Sequence, residues 1–160
     1  MDIKAECRPI ADDELLIIRT FDAPAALVFR IWEDRDHMIR WFGPKEFSCP
    51  SLEMDFRPGG AWRACIRSSA GKDSWMGGTY REIIRNKRIV YSFAWDEGSG
   101  PTQDTLITVT FEERDGKTTQ SFHQTPFASV EARDSHIRGW TQFIDKEQGY
   151  AEWFAHEVNG

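Results

Sequence analysis

The period of the hydrophobic pattern changes along this sequence, and the order of those periods limits the possible folds more than any other feature. Between Phe47 and Thr125 most segments alternate apolar and polar residues, and turn pairs such as Gly59-Gly60 and Asp115-Gly116 interrupt them. This alternation predicts antiparallel strands joined by short turns. From Val130 to about His156 the period becomes helical, which predicts one long amphipathic helix. Its predicted apolar stripe contains Ile137, Trp140, Ile144, Ala151 and Phe154, with Phe143 at the margin.

The residues before this region add a strand and two short helices. Leu15 to Phe21 is rich in branched residues and predicts a strand. Ala25 to Glu33 has a helical period, and Asp34 to Phe42 predicts a second short helix that ends at Gly43-Pro44. The chain is therefore predicted to be α+β, with a curved antiparallel sheet of about seven strands wrapped around the long C-terminal helix. We expect one domain over residues 1–160, with an ordered core over 14–155 and a polar, flexible segment over 1–13.

Composition narrows the classes of partner. The 160 residues carry a formal net charge of −6, which disfavours nucleic acids and anionic membranes. No apolar run approaches the roughly 18 residues of a membrane-spanning helix, and the start lacks a signal-peptide pattern, so we expect a cytoplasmic protein with no membrane partner. Cys7, Cys49 and Cys65 are odd in number and widely spaced, which predicts separate thiols.

The common catalytic and cofactor motifs are missing from the sequence. Gly71-Lys72 is followed by Asp73 and lacks the preceding glycine of a phosphate-binding loop. No GxSxG segment occurs, and the four histidines have no spacing typical of zinc ligands. We therefore expect neither a metal ion nor a cofactor.

Five ordered segments resemble a known family. The segments are Trp41-Phe42-Gly43-Pro44, Asp55-Phe56-Arg57-Pro58-Gly59-Gly60-Ala61-Trp62, Gly78-Thr79-Tyr80-Arg81-Glu82-Ile83, Tyr91-Ser92-Phe93-Ala94-Trp95 and Gly139-Trp140. Together they are similar to the START-like or Bet v 1-like helix-grip proteins and, within them, to the activator of heat-shock protein 90 ATPase homologue family. The resemblance implies a helix-grip fold with a cavity between sheet and long helix, but this fold serves many functions.

Two carboxylates are weak candidates for catalysis. Glu82 lies two residues after Tyr80 on a predicted strand, so it is expected to face the cavity if Tyr80 does, where burial would suit a general acid. A strand carboxylate satisfied by an arginine or backbone donor is the favoured interpretation. Glu147 interrupts the apolar stripe of the final helix where the family usually has leucine. It could face a ligand, but the sequence favours an outward carboxylate in water.

The remaining candidates would line a cavity. Gln120 and Gln124 replace more apolar residues of the family's last strand, so the interior is expected to be unusually polar. Trp75 and Trp95 lie near strand ends, where a cavity mouth would be, whereas Trp32, Trp62 and Trp140 have core-facing periods. The ligand-binding candidates are Trp75, Tyr80, Glu82, Tyr91, Phe93, Trp95, Gln120, Phe122, Gln124, Trp140 and Phe143. Large rings of this kind can line a pocket or fill it.

Three functions are consistent with these features. The preferred one is non-catalytic binding of a small hydrophobic or amphipathic molecule between the sheet and the C-terminal helix. The second is an enzyme of the cyclase, hydratase or hydrolase type, using Glu82 or Glu147 with a tyrosine. The third is a protein-interaction module that regulates a chaperone ATPase.

Overall fold

The computed structural model of the protein describes residues 10–159 and shows one antiparallel sheet packed against a long helix. The two short helices lie between the first and second strands. The strands are β1 (Leu15–Phe21), β2 (Ser48–Met54), β3 (Ala61–Arg67), β4 (Asp73–Ile84), β5 (Arg88–Trp95), β6 (Thr105–Arg114) and β7 (Lys117–Thr125). The helices are α1 (Ala25–Glu33), α2 (Arg35–Met38) and α3 (Val130–Asn159).

The strand order places the first strand beside the last. The order is β1-β7-β6-β5-β4-β3-β2, and every neighbouring pair is antiparallel. β1 pairs with β7 from Leu15 opposite Gln124 to Phe21 opposite Thr118. Because β1 and β2 form opposite edges, α1 and α2 carry the chain from one edge to the other. The predicted α+β helix-grip fold is confirmed.

The second short helix is shorter than the sequence predicts. The Asp34 side chain accepts a hydrogen bond from the backbone N–H of Asp36 and so caps the start of α2. The helix ends at Met38 instead of Phe42, and the chain continues through turns to Gly43, whose φ of 106° belongs to the left-handed region. This turn brings Phe42 back against the rest of the core, where it is buried.

The buried stripe of α3 also differs from the prediction. Its buried residues follow one another at intervals of one, three or four positions, as one helical face requires: Trp140, Phe143, Ile144, Glu147, Ala151 and Ala155. Phe143, predicted at the margin of the stripe, is fully buried, whereas the predicted members Ile137 and Phe154 are only partly buried. Glu147 follows Phe143 by four residues and Ile144 by three, so it lies on the same buried face.

Candidate functional site

The inner face of β7 places two glutamines among aromatic rings. Burial alternates along the strand, so that Thr118, Gln120, Phe122 and Gln124 are buried and the residues between them are less so. This alternation points all four side chains toward α3. The prediction that Gln120 and Gln124 make the interior more polar is confirmed, and their amides need partners there.

Gln120 forms a hydrogen bond with Glu147, which is completely buried. Gln120 Nε2 donates to Glu147 Oε1 at 2.9 Å, and Trp32 Nε1 donates to Glu147 Oε2 at 2.8 Å. The same indole nitrogen lies 3.3 Å from Gln120 Oε1. We call these three side chains, which come from α1, β7 and α3, the carboxyl cluster. The expectation that Glu147 points into water is wrong, because the buried face of α3 includes position 147.

Burial decides the protonation of this carboxyl group. Loss of solvent raises the pKa of Glu147 from 4.5 to about 8, although the hydrogen bonds from Gln120 and Trp32 and the charge of Arg19 act in the opposite direction. Glu147 is therefore mainly protonated and uncharged at pH 7. Burial also raises the pKa of Tyr91 well above its ordinary value, and the nearby Tyr80 and Glu147 add to this effect.

A second chain of hydrogen bonds fixes Gln124. Trp140 Nε1 donates to Gln124 Oε1 at 2.7 Å, and Gln124 Nε2 donates to Thr105 Oγ1 at 2.8 Å. The Thr105 hydroxyl in turn donates to the backbone oxygen of Phe93 at 2.9 Å. The Gln124 amide and the Trp140 indole therefore have protein partners on both sides of the sheet–helix interface. These hydrogen bonds fix the positions of the Gln124 and Trp140 side chains.

The two interior tyrosines face a small void. The volume of this interior void that the centre of a water molecule can occupy is about 10 Å³. Its walls are Trp32, Met38, Phe42, Leu52, Met54, Trp62, Tyr80, Tyr91 and Trp140. The rings of Tyr80 and Tyr91 lie 6.0 Å apart. Among the described residues, neither hydroxyl makes a hydrogen bond. These two groups are thus available to a polar atom placed in the void.

A larger apolar cleft opens between α3 and the ends of β3, β4 and β5. The volume of the cleft that the centre of a water molecule can occupy is about 50 Å³. Its walls are Phe42, Gly43, Pro44, Ile66, Met76, Trp95, His136, Gly139, Trp140 and Phe143. Phe42 and Trp140 also line the interior void. These two rings therefore separate the cleft from the void.

One polar contact stands at the wall of the cleft. Trp95 Nε1 donates to His136 Nε2 at 3.0 Å, and His136 Nδ1 lies 2.7 Å from the Ala132 carbonyl oxygen. Because Nε2 accepts and the carbonyl can only accept, the proton of the neutral imidazole is on Nδ1. Burial lowers the pKa of His136. The imidazole is uncharged at neutral pH, so the cleft carries no charge from it.

The structure divides the predicted cavity residues into groups. Trp95, Trp140 and Phe143 line the cleft, and Tyr80 and Tyr91 line the void. The other inward-facing residues fill the interior or satisfy its polar atoms: Phe93, Phe122, Gln120 and Gln124. Phe93 and Gln124 also line a further small pocket, together with Trp95 and His136. Phe93 and Phe122 lie 5.5 Å and 4.8 Å from the Trp140 ring centre. Aromatic side chains therefore occupy most of the space between sheet and helix.

Glu82 does not face the interior with Tyr80. The register of β4 with β5 shifts between Tyr80, which pairs with Tyr91, and Glu82, which pairs with Val90. The extra residue in this β-bulge turns Glu82 outward. Glu82 is exposed and forms an ion pair with Arg88, whose Nε lies 2.8 Å from Glu82 Oε1. The favoured interpretation, a strand carboxylate paired with an arginine, is confirmed, whereas the expectation that Glu82 faces the cavity is wrong.

Trp75 is also outside the cleft. Its neighbour Met76 is buried and lines the cleft, and adjacent strand residues point to opposite faces. The Arg63 guanidinium lies 4.8 Å from the Trp75 ring centre on the outer face, where Arg63 also pairs with Asp96 at 2.6 Å. Trp75 thus forms part of an exposed cation–π contact.

Ile66, Met76, His136 and Gly139 line the cleft but are missing from the ligand-binding candidates predicted from the sequence. Ile66 and Met76 follow the strand alternation inward, and this signal was available once Trp75 was placed outward. His136 precedes Trp140 by one helical turn, which is the spacing that places two side chains on one helix face. Phe42, Gly43 and Pro44, from one of the segments that carry the family resemblance, also line the cleft.

The described residues offer no built metal site. Within residues 10–158, no group of three or more histidine, cysteine, aspartate or glutamate side chains could hold a metal ion. Cys49 and Cys65 are free thiols, as predicted, and burial raises the pKa of Cys49 to about 11. Cys7 lies outside the described residues. None of the described helices combines the length and apolar character needed to cross a membrane.

The curved sheet, its long helix and the space between them define a helix-grip protein. The model of one family, the activator of Hsp90 ATPase homolog 1-like proteins, matches residues 22–152. The chain belongs to this family, as the sequence resemblance implies. No curated protein matches the chain.

Several solved structures share the fold. A protein from Chromobacterium violaceum is 25% identical, with a TM-score of 0.81 over 89% of this chain and 99% of that chain. A protein from Rhizobium leguminosarum is 28% identical, with a TM-score of 0.70 over 87% of this chain and 93% of that chain. An AHSA1 protein from Silicibacter pomeroyi, at 18% identity, has a TM-score of 0.75 over 91% of this chain and 97% of that chain.

Proposed function

We propose that the protein binds a small apolar molecule between the sheet and α3, entering through the cleft and reaching the interior void. The observation that carries this proposal is the pair of hydroxyls on Tyr80 and Tyr91, which have no hydrogen-bond partner among the described residues and face the void next to the apolar cleft. Ligand sites combine mostly apolar walls with a few oriented polar groups, and this path has that composition.

Binding requires the Phe42 ring between cleft and void to move, since the Trp140 indole is held by its hydrogen bond to Gln124. Small-molecule sites usually enclose roughly 300 Å³ or more, which exceeds the present space of about 50 Å³ in the cleft and about 10 Å³ in the void. Phe42 lies in the turn segment after α2, outside the helices and strands. Lys146 Nζ donates to the carbonyls of Pro44 and Phe47 at 3.4 and 3.2 Å. Movement of this segment joins cleft and void without disturbing the sheet.

A binding role fits the carboxylates better than a catalytic one. Glu82 is exposed, and Glu147 is enclosed by Trp32 and Gln120 and lines neither the cleft nor the void. A general acid or base must reach the proton that it transfers, and neither carboxyl group can reach one in these spaces. Regulation of a chaperone ATPase stays a prediction from the family resemblance, which an ATPase assay with the purified chaperone would test.

Two glycines of α3 allow a sharp test. A Cβ at Gly139 would enter the cleft, 3.9 Å from Pro44 Cγ, whereas a Cβ at the exposed Gly149 would have no neighbour within 4 Å. Leucine at either position adds helix propensity worth up to about 1 kcal/mol. Gly139→Leu should therefore fill the cleft, while Gly149→Leu adds the same side chain on the outside.

The measurement is a fluorescence titration with the neutral probe N-phenyl-1-naphthylamine. We expect one-to-one binding to the wild-type protein and to Gly149→Leu, and at least tenfold weaker binding to Gly139→Leu. Thermal unfolding of all three proteins checks that they are folded. Equal affinity of the two variants, or no binding to the wild-type protein, would refute the proposed site.

A further inference from the structure

We propose that this site selects uncharged ligands: an apolar molecule with a neutral hydrogen-bonding group, in preference to the same skeleton carrying an anionic group. This inference rests on the proposed function and names the chemical class of its ligand. It comes from the charges that surround the cleft and the void. Amphipathic ligands in general would include anions, so the proposal is narrower than binding alone.

The walls themselves contain no cation. Among the described residues, no lysine or arginine lines the cleft or the interior void. His136 is the titratable residue of the cleft, and both of its ring nitrogens already have partners in Trp95 and the Ala132 carbonyl. An anionic group entering this space would lose its water without gaining a charged partner.

Three cationic side chains of β1, β3 and α3 are held by other partners. Lys146 Nζ, on the same helix as His136, is directed to the backbone oxygens of Pro44 and Phe47. Arg63 lies on the outer face of the sheet against Trp75 and Asp96. Arg19 is bound to Asp145 at 2.8 Å and to Gln148 at 3.0 Å. None of these groups lines the path that a ligand would take.

The inner end of the path also disfavours a negative charge. Trp32 lines the void with one part of its ring and donates from Nε1 to Glu147. Protonated Glu147 offers no positive charge, and ionised Glu147 would repel an anion. The Tyr80 and Tyr91 hydroxyls can donate or accept one hydrogen bond each, which suits a neutral hydroxyl, carbonyl or amine.

Two related probes test this selectivity. N-phenyl-1-naphthylamine and 1-anilinonaphthalene-8-sulfonate share one skeleton and differ by the sulfonate. At pH 7 we expect the wild-type protein to bind the neutral probe at least tenfold more tightly than the sulfonate. For each probe we attribute to the cleft only the binding that Gly139→Leu weakens. Binding that this variant leaves unchanged takes place on the exposed surface. Equal or tighter binding of the sulfonate in the cleft would overturn the inference and leave the binding site standing, whereas binding of neither probe would refute the site itself.

A cation introduced at the cleft mouth provides the reverse test. Trp95 is only partly buried, so a lysine at this position can keep its ammonium group near water. Trp95→Leu is the matched control, since it also removes the indole and its hydrogen bond to His136. For each variant we take the ratio of the sulfonate affinity to the affinity for the neutral probe. We expect this ratio to be at least fivefold higher in Trp95→Lys than in Trp95→Leu. An unchanged ratio would show that missing positive charge is not the source of the selectivity.

Discussion

Replacing Glu147 by glutamine isolates the free energy of burying a carboxyl group in this core. Glutamine keeps the shape of the side chain and an oxygen for Trp32 Nε1, but it has no proton to exchange near neutral pH. The comparison with the wild-type protein therefore reports the ionisation of Glu147, together with one rearranged hydrogen bond to Gln120 that does not depend on pH.

The magnitude follows from the change in pKa. In the unfolded chain the carboxyl ionises near 4.5, and in the folded protein burial raises the pKa of Glu147 to about 8. Between these values the folded protein holds a proton that the unfolded chain has lost, so stability falls by about 1.4 kcal/mol for each pH unit of increase. The full loss across this window is about 4–5 kcal/mol, and it is complete once the pH exceeds about 8.

Urea unfolding at several pH values between 5.5 and 7.5 measures this dependence. Other groups also titrate, so the informative quantity is the difference in unfolding free energy between Glu147→Gln and the wild-type protein. We expect this difference to change by about 2–3 kcal/mol over the two pH units, in favour of the variant at higher pH. Gln142→Glu is the matched control, because it makes the reverse exchange on the exposed face of the same helix.

A difference that stays constant with pH would refute the reasoning, since it would mean that folded and unfolded Glu147 hold the same number of protons. Infrared spectroscopy gives an independent check. The folded wild-type protein at pH 6.5 should show the carbonyl band of a protonated carboxylic acid that Glu147→Gln lacks. Absence of that band would contradict the burial of a neutral acid.

Two further substitutions separate the carboxyl cluster from the void. Trp32→Phe removes a donor to Glu147, so we expect a loss of about 1–3 kcal/mol of stability and a further rise in the pKa of Glu147. When the urea series is extended above pH 8, stability should stop falling at a higher pH than in the wild-type protein, and an unchanged limit would count against the cluster. Tyr91→Phe removes a hydroxyl that has no partner among the described residues, so thermal unfolding should show a change of less than about 1 kcal/mol, and a larger loss would reveal a hydrogen bond to that hydroxyl.

Most of the fold follows from patterns that the sequence displays openly. β1 and α1 have the bounds that their branched residues and helical period predict, and β2 to β7 all lie within the alternating region between Phe47 and Thr125. Alternation also places Gln120 and Gln124 inside correctly. Such patterns succeed because each depends on one periodicity and on one face packed against the core.

The candidate site was harder to predict because it depends on small offsets. Glu147 lies on the apolar stripe of α3, and the packing of α1 and β7 against that stripe decides whether its carboxyl group is in water or enclosed. A single extra residue in β4 turns Glu82 outward although Tyr80 points inward. The partners of Glu147 come from α1 and β7, 115 and 27 residues away, and no local pattern links them.

The seven tryptophans of the chain allow one direct test of the proposed binding site. In a ¹H–¹⁵N NMR spectrum each indole N–H gives its own signal, and Trp95 and Trp140 line the cleft. Trp153 lies in a separate exposed aromatic group with Tyr150 and Phe154. On titration with N-phenyl-1-naphthylamine, the Trp95 and Trp140 signals should shift together with one binding constant while Trp153 stays in place. A shift of Trp153 with Trp95 and Trp140 unchanged would contradict a ligand site between the sheet and α3.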